Sequence, residues 1–184
     1  MLDPVLFRAG AWLATEVQQA VQRSPGARVL DLGCGTGVVG VLAAGAGAAV
    51  VASDLMPEAC AAARANGLVD VRRGDLFEPL PGERFDLIAF NPPYLVGRPD
   101  RHPLGRALYG GEDLGVLRRF GQQVPEHLLP GAEAWTVLSD RAPGAVAALG
   151  PGWRRIRTTQ IEGEDLGIWA LRPGSGYIPA KERP

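Results

Sequence analysis

The sequence predicts an α/β fold in which a mostly parallel β-sheet is flanked by helices. Apolar, strand-like segments alternate with helix-like segments along most of the 184 residues, and this alternation is typical of a parallel sheet. The chain is long enough for one domain with a sizeable core. With 46% hydrophobic and 21% charged residues, the composition excludes a disordered chain. No internal repeat or linker interrupts the pattern, so we expect a single domain over residues 1–184.

The first four strands are predicted as short segments that lead into glycine, aspartate or asparagine, and all but the third are largely apolar. They cover residues 28–32, 48–53, 70–73 and 85–90. A short apolar helix is predicted over 38–44, between the first two strands. Pro57 suits the first turn of the next helix, which Gly67 can close. The fourth strand ends at two prolines, which cannot donate the hydrogen bonds of a sheet.

The second half of the chain predicts one long helix and three further strands. Residues 95–109, which are rich in proline, glycine and arginine, are predicted to form a loop. From Glu112 to Leu128, apolar residues recur every three or four positions, which predicts an amphipathic helix that Pro125 kinks or splits. The remaining predicted elements are strands at 134–138, 153–161 and 166–171, a short helix at 143–149 and a frayed tail at 174–184. Because the last two strands alternate around a short turn, they are predicted to pair antiparallel, which gives a seven-stranded sheet with one antiparallel strand.

The charge and cysteine content exclude several classes of protein. Lysine and arginine total 19 against 20 acidic residues, a net charge of −1, whereas nucleic-acid-binding domains are usually basic. Cys34 and Cys60 are too few for a disulfide scaffold, which favours a reducing compartment. The uncharged run over 32–53 is rich in glycine, and a loop, a helix and a strand explain it better than a membrane span. His102 and His127 have no partners at metal-ligand spacing, so we expect a soluble, cytoplasmic protein without a metal.

A glycine-rich segment follows the first predicted strand, at the sheet edge where parallel sheets bind ligands. It reads Asp-Leu-Gly-Cys-Gly-Thr-Gly over residues 31–37. Glycine lets the backbone turn tightly and approach a ligand without a Cβ atom, and the following helix offers free N–H groups to a carboxylate or phosphate. Cys34 lies where a small side chain fits and is not expected to be a nucleophile.

Two nucleoside cofactors compete for this loop. Residues 35–40 match the dinucleotide fingerprint, and Asp54 follows at a distance suited to a ribose, so a nicotinamide dinucleotide is one candidate. Asp31, directly before the first glycine, would repel a pyrophosphate and attract an ammonium group. The loop therefore favours a zwitterionic ligand such as S-adenosylmethionine (SAM).

Acidic residues follow three successive strands, and together they predict the SAM site. Asp54 is expected to accept two ribose hydroxyls, and Asp75 an adenine amino group with the Leu76 N–H close to a ring nitrogen. For Asp54 or Asp75 alone, the alternative is that the side chain caps a helix or a turn. The predicted cofactor-binding residues are Asp31, Gly33, Cys34, Gly35, Gly37, Asp54, Leu55, Asp75, Leu76 and Asn91.

The segment Asn91-Pro92-Pro93-Tyr94 ends the fourth strand, next to the glycine loop. By itself it reads as a turn with an aromatic residue at its rim. Together, the two motifs resemble the class I SAM-dependent methyltransferases that methylate a planar NH2 group: exocyclic amines of adenine or guanine, or the side-chain amide of glutamine. The resemblance implies a Rossmann-like fold, SAM as cofactor, and these four residues as the catalytic ones.

The chemistry of such a reaction accounts for the four residue types. The lone pair of an amide or aryl amine nitrogen is delocalised, so the nitrogen must be held in line with the methyl group. The Asn91 side-chain oxygen and a proline carbonyl, that of Pro92, are each expected to accept one N–H of the target. Tyr94 is expected to pack on the flat face of the target.

The segment at residues 106–115 distinguishes between these target groups. It reads Arg-Ala-Leu-Tyr-Gly-Gly-Glu-Asp-Leu-Gly and is similar to the Gly-Gly-x-Asp-Gly segment of the HemK/PrmC-type glutamine methyltransferases. Those enzymes modify the Gly-Gly-Gln loop of translation termination factors. The resemblance covers residues 29–138, about three-fifths of the chain, and implies that the substrate is a glutamine amide of a release factor.

The chain departs from the HemK/PrmC pattern in three places. Leu114 separates Asp113 from Gly115, where the family usually has aspartate followed directly by glycine. The N-terminal helical domain of the bacterial enzymes is not expected here, and residues 7–12 do not match the family's Pro- and Glu/Thr-containing segment. The size and the acidic turn over 162–166 look more like the short archaeal and eukaryotic release-factor enzymes. A small activating subunit is a second partner that this sequence leaves open.

Two alternatives to a protein methyltransferase stay open at this stage. The first is a methyltransferase that acts on the amino group of an RNA or DNA base. Arg98, Arg101 and Arg106 follow the catalytic segment and could hold phosphates. The simpler interpretation of these arginines is that they are ordinary solvated surface residues. Further arginine clusters are Arg72-Arg73, Arg118-Arg119 and Arg154-Arg155-Arg157. The second is a non-catalytic SAM-binding subunit, against which the intact Asn-Pro-Pro-Tyr segment argues. Trp12 is a candidate for covering the cofactor or the target.

Overall fold

All seven strands form one sheet in the computed structural model, which describes residues 4–98 and 105–174 of the chain. The strands are β1 (Arg28–Leu32), β2 (Ala49–Asp54), β3 (Asp70–Arg73), β4 (Phe85–Phe90), β5 (Leu128–Ser139), β6 (Arg154–Ile161) and β7 (Glu164–Leu171). Their order across the sheet is β3-β2-β1-β4-β5-β7-β6. β7 is antiparallel to both of its neighbours, and the other pairings are parallel. The predicted seven-stranded sheet with one antiparallel strand is confirmed.

The strand order reverses at β1 and β4, and this reversal determines where a ligand can bind. β2 and β3 lie on one side of β1, whereas β4 and the later strands lie on the other. Leu32 at the end of β1 pairs with Phe90 at the end of β4, so Gly33 and Asn91 leave the sheet from adjacent positions. In open α/β sheets, the crevice at such a reversal is the usual ligand site.

Helices pack on both faces of the sheet. They are α1 (Pro4–Arg23), α2 (Val38–Gly45), α3 (Pro57–Ala65), α4 (Gly105–Leu108), α5 (Gly115–Gln123) and α6 (Ala145–Ala148). Asp31 contacts Gly40 of α2 and pairs with Ala89 of β4. The next residue, Phe90, points to the opposite face and packs against Phe120 of α5, with 4.8 Å between ring centroids. Within the described residues, no helix is long and apolar enough to cross a membrane.

Helix α1 is the largest element that the sequence analysis does not predict. It packs against α2 and also contacts β5, β6 and β7. Ala9, Leu13, Val17 and Val21 are almost completely buried, and their four-residue spacing places them on one face of the helix. The sequence shows this periodicity. Helix α1 is missing from the predicted elements because residues 7–12 are compared only with a family motif, and such a comparison does not indicate secondary structure.

Other differences concern the ends of elements. The predicted loop over 95–109 contains the short helix α4, and residues 99–104 lie outside the described part of the chain. The amphipathic helix ends at Gln123 and continues as a short 3-10 helix, Val124–His127. The predicted split at Pro125 is therefore confirmed, but Leu128 begins β5 instead of ending the helix.

The second half of the sheet has longer strands than the apolar pattern predicts. β5 has 12 residues and begins at Leu128, six positions before the predicted start at 134, because its first half carries Pro130 and Gly131 and shows no apolar run. The predicted antiparallel pair is confirmed as β6 and β7. Its turn consists of Glu162 and Gly163, whose φ values of 54° and 75° are those of a two-residue type I′ turn. The tail over 175–184 lies outside the described residues.

Candidate active site

A cavity of about 570 Å³ opens at the carboxyl ends of β1, β2, β3 and β4, and its volume lies within the range of small-molecule sites. The sequence-predicted residues that line it are Asp31, Gly33, Cys34, Gly35, Asp54, Leu55, Asp75, Leu76, Asn91 and Pro93. Gly37, Pro92 and Tyr94 are buried and are not part of this lining in the described chain. The structure therefore brings the glycine loop, the three acidic residues and the Asn-Pro-Pro corner to one cavity.

The glycine loop owes its shape to three residues in the left-handed region, where a side chain would be strained. The φ values of Gly33, Gly35 and Gly37 are 60°, 54° and 83°. A Cβ atom on Gly33 would lie 2.9 Å from the Phe90 ring, and one on Gly37 would lie 2.8 Å from Leu68. Gly37 precedes α2 and packs against the core, so its contribution to the site is to shape the loop.

Asp31 is a carboxyl group with little access to water. Its side chain lies at the end of β1, is only 3% exposed, and accepts the Gly40 N–H at 2.8 Å through Oδ2. Burial raises the pKa of Asp31 to about 7, the Gly40 N–H opposes this change, and the nearby Asp54 carboxylate adds to it. A cationic group in the cavity would favour the ionised form of Asp31.

Asp54 accepts backbone N–H groups of a loop and a turn, which is the structural alternative to ligand binding that its sequence position leaves open. Its Oδ2 accepts the Gly35 N–H at 2.9 Å, and its Oδ1 accepts the Met56 N–H at 2.8 Å. The carboxylate therefore joins the glycine loop to the turn between β2 and α3. Each carboxylate oxygen can accept a further hydrogen bond, and Asp54 lines the cavity, so the structural role is compatible with binding ligand hydroxyls.

Asp75 pairs with an arginine that the sequence analysis considers for phosphate binding. The Arg119 guanidinium of α5 donates to Asp75 Oδ2 at 2.6 Å. Both side chains are more than 40% exposed, so the pair orients the carboxylate rather than adding much stability. Leu76, the next residue, is buried with a φ of 50°, which fixes the direction of the chain beside the cavity.

The Asn-Pro-Pro-Tyr corner contributes Asn91 and Pro93 to the cavity lining. Tyr94 is 5% exposed within the main core, so nothing in its position supports the predicted stacking on a target, and that role stays a prediction. Trp12 packs against the same core and is not part of the cavity lining among the described residues. Gly10, which the sequence does not single out, lines the cavity instead, and a Cβ atom added to it would lie 3.3 Å from the Asn91 Nδ2.

Within the described residues, Cys34 adds no reactive group to the cavity and no metal cluster forms; His102 lies outside the described part of the chain. Cys34 lines the cavity, but burial strongly raises the pKa of its thiol, so it stays protonated and poorly nucleophilic. In the part of the chain that the structure describes, no three His, Cys, Asp or Glu side chains are placed to hold a metal ion. The site therefore offers hydrogen-bond acceptors and exposed backbone to a ligand.

Most arginines of the predicted clusters are already engaged. Arg155 stacks over the Trp169 ring, with 4.9 Å to its centroid. Arg101 and the side chain of Arg106 lie outside the described part of the structure. The ion pairs are Arg72 with Asp70 and Glu83, Arg98 with Glu112, Arg118 with Asp113, Arg119 with Asp75, Arg154 with Glu133 and Arg157 with Glu16. These carboxylates compete with any phosphate for the same guanidinium groups.

Comparison with known proteins identifies the family. The family model for the methyltransferase small domain matches residues 9–147. The chain belongs to this family. The match covers the glycine loop, the three acidic residues and the Asn-Pro-Pro-Tyr corner.

The relatives agree with the predicted resemblance, which is confirmed. The release factor glutamine methyltransferase of Deinococcus radiodurans is 37% identical over 180 residues, which cover 89% of this chain and 64% of that relative. The ribosomal protein uL3 glutamine methyltransferase of Bradyrhizobium diazoefficiens is 42% identical over 120 residues, which cover 56% of this chain and 38% of that relative. The chain thus spans less than two thirds of the length of either protein.

A solved structure shows the same fold. The Mtq2–Trm112 complex of E. cuniculi, described as responsible for methylation of the eRF1 translation termination factor, matches with a TM-score of 0.65 at 24% identity. The match covers 87% of this chain and 94% of that chain. At this identity, the similarity extends to the arrangement of strands and helices.

Proposed function

We propose that this protein is a SAM-dependent N-methyltransferase that modifies a glutamine side-chain amide of a translation release factor. The observation that carries the proposal is the meeting of Asn91 with Asp31, Asp54 and Asp75 around one cavity. The relatives named glutamine methyltransferases support the choice of an amide as the target.

The residues around the cavity fit SAM. Asp31 offers a buried carboxyl group for an ammonium, Asp54 offers acceptors for two ribose hydroxyls, and Asp75 offers an acceptor for an adenine amino group. The loop over 33–37 presents backbone without Cβ atoms, which allows a close approach. When bound there, SAM supplies a methyl group on a positively charged sulfonium.

Asn91 and Pro92 would hold the target nitrogen. An amide nitrogen is a weak nucleophile because its lone pair is delocalised into the carbonyl group. If the Asn91 oxygen and the Pro92 carbonyl each accept one N–H, the nitrogen is fixed in one orientation, and the growing positive charge on it is stabilised. We assign the backbone acceptor to Pro92 rather than Pro93 because the Pro93 carbonyl oxygen lies against Gly110.

The same arrangement explains why no strong base is needed. As the nitrogen–methyl bond forms, the sulfur–methyl bond would break and leave a neutral thioether, so the positive charge would move to the nitrogen and make its protons acidic. The two acceptors share these protons, and one is lost to water after transfer. We therefore assign Asn91 and Pro92 to binding and orientation, and no residue to permanent proton removal.

The ion pairs of the surface favour a protein substrate over RNA. Binding RNA depends mainly on free cationic groups that neutralise phosphates. Among the described residues, three arginines of the clusters considered for phosphate binding face carboxylates: Arg98 faces Glu112, Arg118 faces Asp113 and Arg119 faces Asp75. A glutamine in a ribosomal protein is the second candidate, because the uL3 glutamine methyltransferase is among the relatives.

The proposal places the protein with the translation machinery in the cytoplasm. Its main partner is then the release factor. Because the structural neighbour Mtq2 is described in complex with Trm112, a small activating subunit belongs to the proposal, and co-purification of the full-length protein from its own host would reveal it.

Transfer of tritium from labelled SAM to competing substrates tests this function. The purified protein is incubated separately with a release factor that contains a Gly-Gly-Gln loop, with the same factor carrying Asn in place of that Gln, with ribosomal protein uL3, and with total RNA. Label in the first factor alone is expected. Label in uL3 would move the substrate to the second candidate, and label in RNA alone would contradict the proposal. No transfer despite measurable SAM binding would favour a non-catalytic subunit.

A further inference from the structure

Gly110 packs directly against the backbone of the Asn-Pro-Pro-Tyr corner. It is buried, and it belongs to the Gly-Gly-Glu-Asp segment, far along the chain from β4. A Cβ atom on Gly110 would lie closer than 3.0 Å to the Pro93 carbonyl oxygen, a separation that real Cβ atoms essentially never show. Because the obstacle is a backbone atom, no side-chain rotation relieves it.

Backbone hydrogen bonds hold the two segments at this distance. The Leu95 N–H donates to the Leu108 carbonyl at 3.0 Å, and the Gly110 N–H donates to the Leu95 carbonyl at 3.0 Å. The Gly97 N–H donates to the Gly111 carbonyl at 3.3 Å. Residues 95–97 and 108–111 therefore form a short ladder, and the Asn-Pro-Pro-Tyr corner leads directly into it.

We propose that Gly110 is a positioning residue for methyl transfer, an inference that rests on the proposed function. By leaving room for the Pro93 carbonyl, Gly110 sets the path of the chain after β4, and with it the directions of the Asn91 and Pro92 acceptors. A methyl group at position 110 displaces that path. Since reacting groups must be aligned closely, a displacement of about 1 Å lowers the rate about 100-fold.

Alanine at position 110 isolates this steric contact from backbone strain. The φ of Gly110 is not in the left-handed region, so alanine is compatible with its backbone conformation. Leu108→Ala is the matched control in the same ladder, because Leu108 is 8% exposed and its truncation removes packing without placing an atom against Pro93. Gly45→Ala is the neutral control, because a Cβ atom there meets nothing within 4 Å.

The first test observes Asn91 directly and needs no protein substrate. The sequence contains two asparagines, Asn66 and Asn91, so asparagine-selective 15N labelling gives two pairs of side-chain amide signals. With S-adenosylhomocysteine bound, Gly110→Ala is expected to shift the Asn91 pair and not the Asn66 pair. Leu108→Ala and Gly45→Ala are expected to leave both pairs in place. An unchanged Asn91 pair in Gly110→Ala overturns the proposal.

Calorimetry and a crystal structure distinguish a displaced Asn91 from lost cofactor binding or a misfolded variant. The affinity of Gly110→Ala for S-adenosylhomocysteine is expected to stay within about twofold of wild type, because the glycine loop and the acidic residues are untouched. Should this variant fail to fold, a crystal structure of the wild-type protein decides instead. Van der Waals contact between the Gly110 Cα and the Pro93 oxygen supports the proposal, and a clear gap between them overturns it.

The second test separates positioning from stability. With a release factor as substrate, Gly110→Ala is expected to lower kcat about 100-fold and to leave KM within about threefold. Leu108→Ala is expected to keep kcat within about threefold of wild type. Equal losses of kcat in both variants would overturn the proposal. If the wild-type protein methylates no release factor, the proposed function fails, whereas the Asn91 signals still decide the role of Gly110.

Discussion

The affinity for the cofactor is expected to rise with pH, because Asp31 must be ionised to bind an ammonium group. Burial raises the pKa of Asp31 from its ordinary 3.8 to about 7 in the ligand-free protein. An ammonium group beside the carboxylate favours the ionised form and lowers that pKa in the complex. The complex therefore binds fewer protons than the free protein, so affinity increases up to about pH 7 and then levels off.

The size of the effect follows from the pKa of the free protein. At about pH 6, roughly nine in ten Asp31 side chains are protonated before binding, against roughly one in four at about pH 7.5. The dissociation constant for S-adenosylhomocysteine, which carries the same amino-acid group as SAM, is expected to fall about eightfold between these conditions. Near pH 6, about one proton is released for each ligand bound. Isothermal titration calorimetry in two buffers of different ionisation enthalpy measures both quantities.

Two controls isolate Asp31 as the group responsible. 5′-Methylthioadenosine lacks the amino-acid group, so its affinity is expected to be independent of pH in this range. Asp31→Asn cannot titrate, so it is expected to bind S-adenosylhomocysteine weakly and with no pH dependence. A constant dissociation constant for S-adenosylhomocysteine in the wild-type protein, or the same slope in Asp31→Asn, would refute the reasoning.

Further variants test the other parts of the site. Asn91→Ala is expected to lower kcat at least about 100-fold in the methylation assay while calorimetry finds S-adenosylhomocysteine affinity within a few-fold; loss of both would assign Asn91 to cofactor binding. Asp54→Ala removes the acceptor of two backbone N–H groups and is expected to weaken S-adenosylhomocysteine binding by about 1–3 kcal/mol; unchanged calorimetric affinity would remove Asp54 from the site. Gly10→Ala places a Cβ atom 3.3 Å from the Asn91 Nδ2 and is expected to lower kcat several-fold without changing cofactor affinity, whereas wild-type kcat would show that α1 does not constrain Asn91. Because the Asp31 pKa is raised on folding, the free energy of unfolding is expected to fall between about pH 4 and pH 7 through this group, and urea titrations of Asp31→Asn should lack that component.

The sequence predicts the sheet well because each strand has a local signature. The segments that form β1, β3 and β4 lead into Gly33, Gly74 and Asn91, and their predicted bounds are those observed. The same local logic fails at the first half of β5, which carries Pro130 and Gly131, has no apolar run, and pairs with β4 at Leu128 before a shift in register. Helix α1 has a clear four-residue periodicity of apolar residues, which a comparison with family motifs does not detect.

The sequence predicts which residues meet at the site when each of them directly follows or ends a strand. The placement of Asp31, Asp54, Asp75 and Asn91 at one cavity follows from the topology of a parallel sheet. Contacts between distant segments are not predictable in this way, since they depend on packing. The approach of Gly110 to Pro93 is one such contact.

Burial and pairing are likewise invisible in the sequence. Nothing local distinguishes Tyr94, which the core covers, from an aromatic residue at a rim. The pairing of Arg119 with Asp75 joins residues that are 44 positions apart. Such long-range pairs explain why the predicted arginine clusters look more available for phosphates than they are.

Fragment-ion mass spectrometry of a methylated substrate tests the central claim most directly. A release factor is incubated with SAM and either the wild-type protein or Asn91→Ala, and the peptide containing Gly-Gly-Gln is then sequenced. The account predicts one added methyl group on the glutamine side chain with the wild-type protein and none with Asn91→Ala. A methyl group on any other residue, or equal modification by both proteins, would contradict it.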